Sequence, residues 1–106
     1  MKNDFVVAMT TCRDKKEATL IARTVLEKRL AACVSIIEDV VSSYWWNGKI
    51  EEAKEVILLI KTKKSAVENL RKKILILHTY KTPEFIVLPI VDGGFEYLKW
   101  IEKEVK

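Results

Sequence analysis

The capacity of this chain for acid–base or metal chemistry rests on few residues: one histidine, His78, and two cysteines, Cys12 and Cys33. His78 opens the segment His78-Thr79-Tyr80-Lys81-Thr82-Pro83-Glu84, which sets a phenol and a carboxylate close behind the imidazole. An imidazole so placed can ligate a metal ion or exchange a proton, with Tyr80 and Glu84 as neighbours. A histidine that ends an apolar helix can equally serve to cap the last carbonyls. Cys12 falls in a strand-to-helix turn, where a helix N-terminus can lower a thiol pKa. Cys33 lies in the apolar run Ala31-Ala32-Cys33-Val34 and reads as a small core residue. Once ionised, either thiol is a soft metal ligand. The cysteines are not a C-x-x-C pair and no second histidine exists, so zinc-ribbon and His-rich sites within one chain are excluded.

Other chemistries find less support. Neither phosphate-loop pattern, G-x-G-x-x-G or G-x-x-x-x-G-K-[ST], is present, nor a G-x-S-x-G elbow. An anion-handling enzyme would have to use Arg13 or Lys61, and Arg13 has no glycine-rich loop beside it. The net charge of +4 admits an anionic partner, but the basic residues are interleaved with Glu17, Glu27, Glu51, Glu52, Glu55, Glu68, Glu102 and Glu104, as on a solvated mixed surface. Tyr44, Trp45 and Trp46 could stack bases. An RNA-recognition sheet, however, carries its aromatics on central strands, where this chain offers only Phe5 and the aliphatic run Val56 to Ile60. Nucleic acid is therefore not expected as a partner.

Those residues need elements to hold them. Phe5 to Met9 reads as a buried strand. Asp14, three residues before Glu17, makes a capping box, and the apolar spacing from Ala18 predicts a helix ending near Leu30-Ala31. Strand character returns at Cys33 to Ile37 and from Val40 to Trp46. Asn47-Gly48 is a strong type I′ hairpin signal. The chain then returns from Ile50 into a central strand, Val56 to Ile60. Ser65-x-x-Glu68 predicts a second capped helix with Val67, Leu70, Ile74 and Leu77 on its apolar face. A loop from His78 to Pro83 leads to a strand over Phe85 to Val91, where Pro89 demands an edge or a bulge. Phe95, Leu98, Ile101 and Val105 form the apolar face of a last helix.

The order is that of an α+β, ferredoxin-like β-α-β-β-α-β sandwich with a long β-hairpin and an extra C-terminal helix. Its 106 residues make one domain, 1–106. Hydrophobic residues at 49% and charged residues at 32% fit a folded globular chain. No apolar run approaches the roughly 20 residues that span a bilayer. Met1-Lys2-Asn3-Asp4 shows no leader signature, so a cytoplasmic location without a membrane partner is expected. An arm carrying Tyr44, Trp45 and Trp46 exposes apolar surface in a lone chain, which points to self-association that also covers sheet edges.

Several of these stretches together resemble a known family. They are Leu30-Ala31-Ala32-Cys33-Val34, Ser43-Tyr44-Trp45-Trp46-Asn47-Gly48-Lys49, Glu55 with Lys61-Thr62, His78-x-Tyr80-x-x-Pro83-Glu84, and Tyr97-Leu98-x-Trp100-Ile101. In that order and spacing they are similar to the divalent-cation tolerance (CutA) family, from about Phe5 to Ile101. The resemblance implies a tightly packed homotrimer, similar in plan to the PII signalling proteins. It also implies a cytoplasmic role in tolerance of divalent metals, copper above all, with no established enzymatic activity. The metal ligands expected are His78, Cys12 and Glu84. Tyr44, Trp46, Glu55, Lys61 and Tyr80 match family positions that line a cleft between subunits, where Lys61 could pair with Glu55 or hold an anion. The alternative is a trimeric signalling or adaptor protein with a small-molecule or protein partner and no metal function. Two departures stand out. Thr79 replaces the proline of the family's His-Pro-Tyr pattern, so a slightly less rigid loop is expected. The residue before His78 is Leu77 rather than a second histidine, and the first-strand cysteine is displaced by about two residues.

Overall fold

The computed structural model describes residues 4–106. The run Met1 to Asn3, read above for a leader signature, lies outside the described residues. The elements are β1 (Phe5–Cys12), α1 (Lys15–Glu27), β2 (Cys33–Trp46), β3 (Lys49–Lys63), a 3₁₀ turn (Lys64–Ala66), α2 (Val67–Leu77), β4 (Ile86–Pro89) and α3 (Phe95–Glu104). The strands form one antiparallel sheet in the order β2-β3-β1-β4. This is the ferredoxin-like arrangement, with a C-terminal helix added.

Alternation along the strands decides which face is covered. Ala8, Leu58 and Ile60 are fully buried against Ile21 and Val25 of α1 and Leu70 and Ile74 of α2. A smaller core at the other end joins Phe5 and Ala66 to Ile101 and Val105. The remaining odd positions, Val7, Met9, Ile57 and Leu59, stay half-buried on the opposite face. Pro89 falls on the edge strand β4, where its missing N–H breaks no ladder bond. Among the described residues no helix is long and apolar enough to cross a membrane.

The hairpin is longer than the sheet that supports it. Strand β1 pairs with β3 only from Val56 to Lys63, so Val40 to Trp46 and Lys49 to Glu55 continue as a two-stranded arm. Asn47 and Gly48 close it with φ of 51° and 77°, as a type I′ turn requires. Where the arm leaves the sheet, the register shifts between Ile37 and Val40, and Asp39 takes a φ of 60°. This is a bulge that redirects the strand.

Four expectations about elements need correction. Helix α1 stops at Glu27, not near Leu30-Ala31, because Arg29 turns left-handed (φ 59°). Its amide bonds Leu26 O at 3.0 Å and that of Leu30 bonds Val25 O at 2.9 Å, a Schellman closure. The Ser65–Glu68 box does not form: Ser65 lies in the 3₁₀ turn, and Ala66 caps α2 without a side-chain bond. The last strand covers only Ile86–Pro89 rather than Phe85 to Val91. Phe95 is 62% exposed and so takes no part in the buried face of α3.

Candidate functional site

Three elements end at one place: β1 at Cys12, the first turn of α1 at Glu17, and α2 at His78. Asp14 caps α1 by accepting from the Glu17 amide at 2.9 Å. The reciprocal bond of the capping box reaches one residue further back, with Glu17 Oε1 accepting from the Arg13 amide at 2.9 Å. That fold-back buries the Glu17 carboxylate, and its second oxygen, Oε2, accepts from the Thr79 amide at 2.8 Å and the Thr79 hydroxyl at 2.5 Å.

His78 is the C-cap of α2, but its ring does not bond the helix carbonyls. Nε2–H donates to Thr11 O at the end of β1, at 2.8 Å. Nδ1 accepts from the Tyr80 amide at 3.2 Å, so these partners fix the neutral tautomer with its proton on Nε2. Nδ1 also lies 3.7 Å from Glu17 Oε2. With Cys12 Sγ added, one nitrogen, one oxygen and one sulfur donor stand within 4.8 Å of one another, all on buried residues. The Tyr80 ring leans over His78 at 4.9 Å, and its hydroxyl donates to Glu55 Oε2 at 2.8 Å, tying the loop to the root of the arm.

The surroundings set the charge states. Burial pushes the Cys12 thiol up to about 12, helped by the carboxylates of Glu17, Asp14 and Glu55. The lowering that a helix N-terminus can give does not prevail here, since Cys12 is fully buried among acidic groups. Burial is also the largest influence on Glu17 and acts upward. The Thr79 hydroxyl and the Arg13 and Thr79 amides together outweigh it and hold this carboxyl below its ordinary range. Tyr80 is raised, first by burial and then by its bond to Glu55.

Of the expected metal ligands, Cys12 and His78 come together, while Glu84 is exposed and outside the cluster. Its carboxylate partner is Glu17, which reads in sequence as a capping residue only. Thr79, in the place of the family's proline, bonds Glu17 twice, and its amide bond is one proline could not make. Of the cleft residues, Glu55 and Tyr80 are in contact, and Tyr44 and Trp46 lie exposed on the arm. Lys61 does not pair with Glu55. It lies six residues further along β3, roughly 20 Å away, and donates to Ser35 Oγ at 2.5 Å and Cys33 Sγ at 3.8 Å. Beside Glu55, Arg13, Glu38, Asp39, Lys54 and Val56 complete the lining of a shallow cleft of about 90 Å³.

The donor set fits a borderline divalent cation. Imidazole, carboxylate and thiolate are the groups that bind zinc and copper, and the Nε2–H bond to a backbone carbonyl is the outer contact that orients a ligating histidine. The model of the CutA1 divalent ion tolerance protein family matches residues 6–104. The chain belongs to that family. It is 47% identical over 96 residues to the human protein CutA, covering 91% of this chain, and 39% identical over 97 residues to the divalent-cation tolerance protein CutA of Thermus thermophilus, covering 92% of this chain and 94% of that one. The chain spans about half the length (54%) of the human relative. Its fold matches a solved structure from Archaeoglobus fulgidus, described as a periplasmic divalent cation tolerance protein CutA. The TM-score is 0.93 at 37% identity, over 96% of this chain and 99% of that one.

Proposed function

We propose that this family member serves divalent-cation tolerance by binding a divalent ion, copper or a similar borderline metal, at Cys12, Glu17 and His78. The convergence of three different donor types from three elements carries this reading. Binding rather than turnover is the role, since the three donors converge from buried residues as a ligand set does. A cytoplasmic setting suits two cysteines kept apart as free thiols. The working unit is a homotrimer, supported by the unpaired outer edges of β2 and β4 and by the exposed aromatic arm.

Titration calorimetry with Cu²⁺ and with Zn²⁺ tests the metal reading. We expect saturable binding of one ion per chain, weakened at least tenfold in His78→Ala, as loss of a direct ligand implies. Absence of binding to the wild-type chain overturns it. The alternative, a trimeric signalling or adaptor protein with a small-molecule or protein partner, is favoured by a specific observation: both carboxylate oxygens of Glu17 and both ring nitrogens of His78 already have hydrogen-bond partners within the chain. It predicts an intact trimer and no heat on metal addition.

A further inference from the structure

The two donor atoms that face each other in the cluster, Glu17 Oε2 and His78 Nδ1, have resting partners in a single dipeptide. Oε2 accepts from the Thr79 amide and hydroxyl, and Nδ1 accepts from the Tyr80 amide. The opposite atoms, Glu17 Oε1 and His78 Nε2, are anchored elsewhere, on Arg13 N and Thr11 O. The outer bonds thus hold both side chains oriented, while the Thr79–Tyr80 segment occupies the lone pairs that a cation would need.

We propose that cation and segment are mutually exclusive occupants. Loading the site releases Thr79 and Tyr80 from Glu17 and His78, and through the Tyr80 side chain alters the contact with Glu55 at the root of the arm. This rests on the metal reading above. The imidazole has one lone pair, at Nδ1, because Nε2 carries the proton given to Thr11 O; an N–H and a cation cannot share it. At Oε2, two hydrogen-bond donors already converge on the oxygen nearest that nitrogen. The released donors can be hydrated, since Thr79 lies at the surface. Tyr80 cannot shift freely, because its hydroxyl is bonded to Glu55, so displacement of its backbone pulls on β3 where the arm begins. Ion occupancy is thereby linked to the arm, the part of the chain with the largest exposed apolar side chains.

Thr79→Pro removes both donors of residue 79. His78 already has φ −73° and ψ 140°, the conformation a residue before proline requires. Thr79→Ala, which removes only the hydroxyl, is the milder control. The experiment is Zn²⁺ titration of the full chain, read by calorimetry and by amide hydrogen exchange in ¹⁵N NMR. The expected result is loss of protection at the Thr79 and Tyr80 amides at the stoichiometry of binding. Thr79→Pro should bind on the order of tenfold more tightly, as loss of competing bonds to a charged group implies, with Thr79→Ala between. Binding with both amides still protected and equal affinity in all three proteins overturns the competition and leaves the metal reading standing. Absence of binding in all three overturns both. Binding by Thr79→Pro alone, with none by the wild-type chain, overturns the metal reading of the natural sequence.

Discussion

At Glu17 several interactions oppose one another, and the hydrogen bonds prevail. Burial alone would raise its pKa, yet bonds from Arg13 and Thr79 hold the carboxylate charged. A folded-state pKa below the unfolded value near 4.3 contributes stability above that value, and the contribution is lost as pH falls through the folded pKa. Glu17→Gln should therefore flatten the acid limb of a stability profile below about pH 4.3. At neutral pH it should cost roughly 1–3 kcal/mol, the range for weakening buried charge-assisted bonds; urea unfolding at a series of pH values measures both. Cys12 has the opposite sign. Its neutral thiol stabilises the fold fully below its ordinary value of 9.0, and that contribution fades as pH rises towards about 12. A cation that takes the thiolate must displace this proton, so Zn²⁺ affinity of the wild-type chain should rise with pH between 6 and 8, by up to about tenfold per unit. In Cys12→Ser this slope should shrink, which calorimetry in buffers of different ionisation heat can read.

Elements whose cause lies within a few residues were legible in advance, and those closed by distant contacts were not. Asn47-Gly48 specifies its turn locally, because both residues accept positive φ. Gly48→Ala meets no atom within 4 Å. Its cost is thus the backbone term alone, about 1–2 kcal/mol for a left-handed non-glycine residue, to be seen as a lower denaturation midpoint with an unchanged slope. Asp14-x-x-Glu17 was legible as a cap for the same reason. The end of α1 was not, because apolar spacing continues through Leu26 and Leu30 while the left-handed position falls on Arg29 rather than a glycine. A long-range contact supports that residue: Arg29 Nη1 lies 2.7 Å from Glu104 Oε1, and Lys106 N bonds Arg29 O at 3.0 Å. Ser65 misled because the chain enters α2 through a 3₁₀ turn pinned by the Lys64 amide on Asp4 O at 2.8 Å. In the site, His78 and Cys12 were legible as rare residue types. Glu17 was not, since its bonds to Thr79 span 62 positions and no local pattern announces them.

The whole molecule is shaped by an arm its own core cannot cover. The described chain measures 44 × 26 × 23 Å, and Val41, Trp45, Trp46 and Ile50 on the arm are each more than half exposed. Ile86 and Leu88 of the edge strand β4 and Trp100 of α3 add apolar surface nearer the sheet. Two open edges of unequal length, β2 with 14 residues and β4 with four, favour a head-to-tail contact between unlike surfaces over a self-matching one. Such a contact either closes into a ring or runs on as a filament, and the proposed homotrimer is the ring of three. Light scattering should accordingly give three times the chain mass of 12.3 kDa. Trp46→Glu places a charge on the arm where a neighbour would cover it, and should cost at least about 2 kcal/mol per contact, the scale of a buried aromatic anchor. The trimer should then dissociate at low micromolar concentration while the Ile21, Leu58, Ile60 and Ile74 core keeps each chain folded. A monomeric wild type, or a Trp46→Glu protein of unchanged mass and dilution stability, would remove the arm from the assembly and leave its aromatic surface for a different partner.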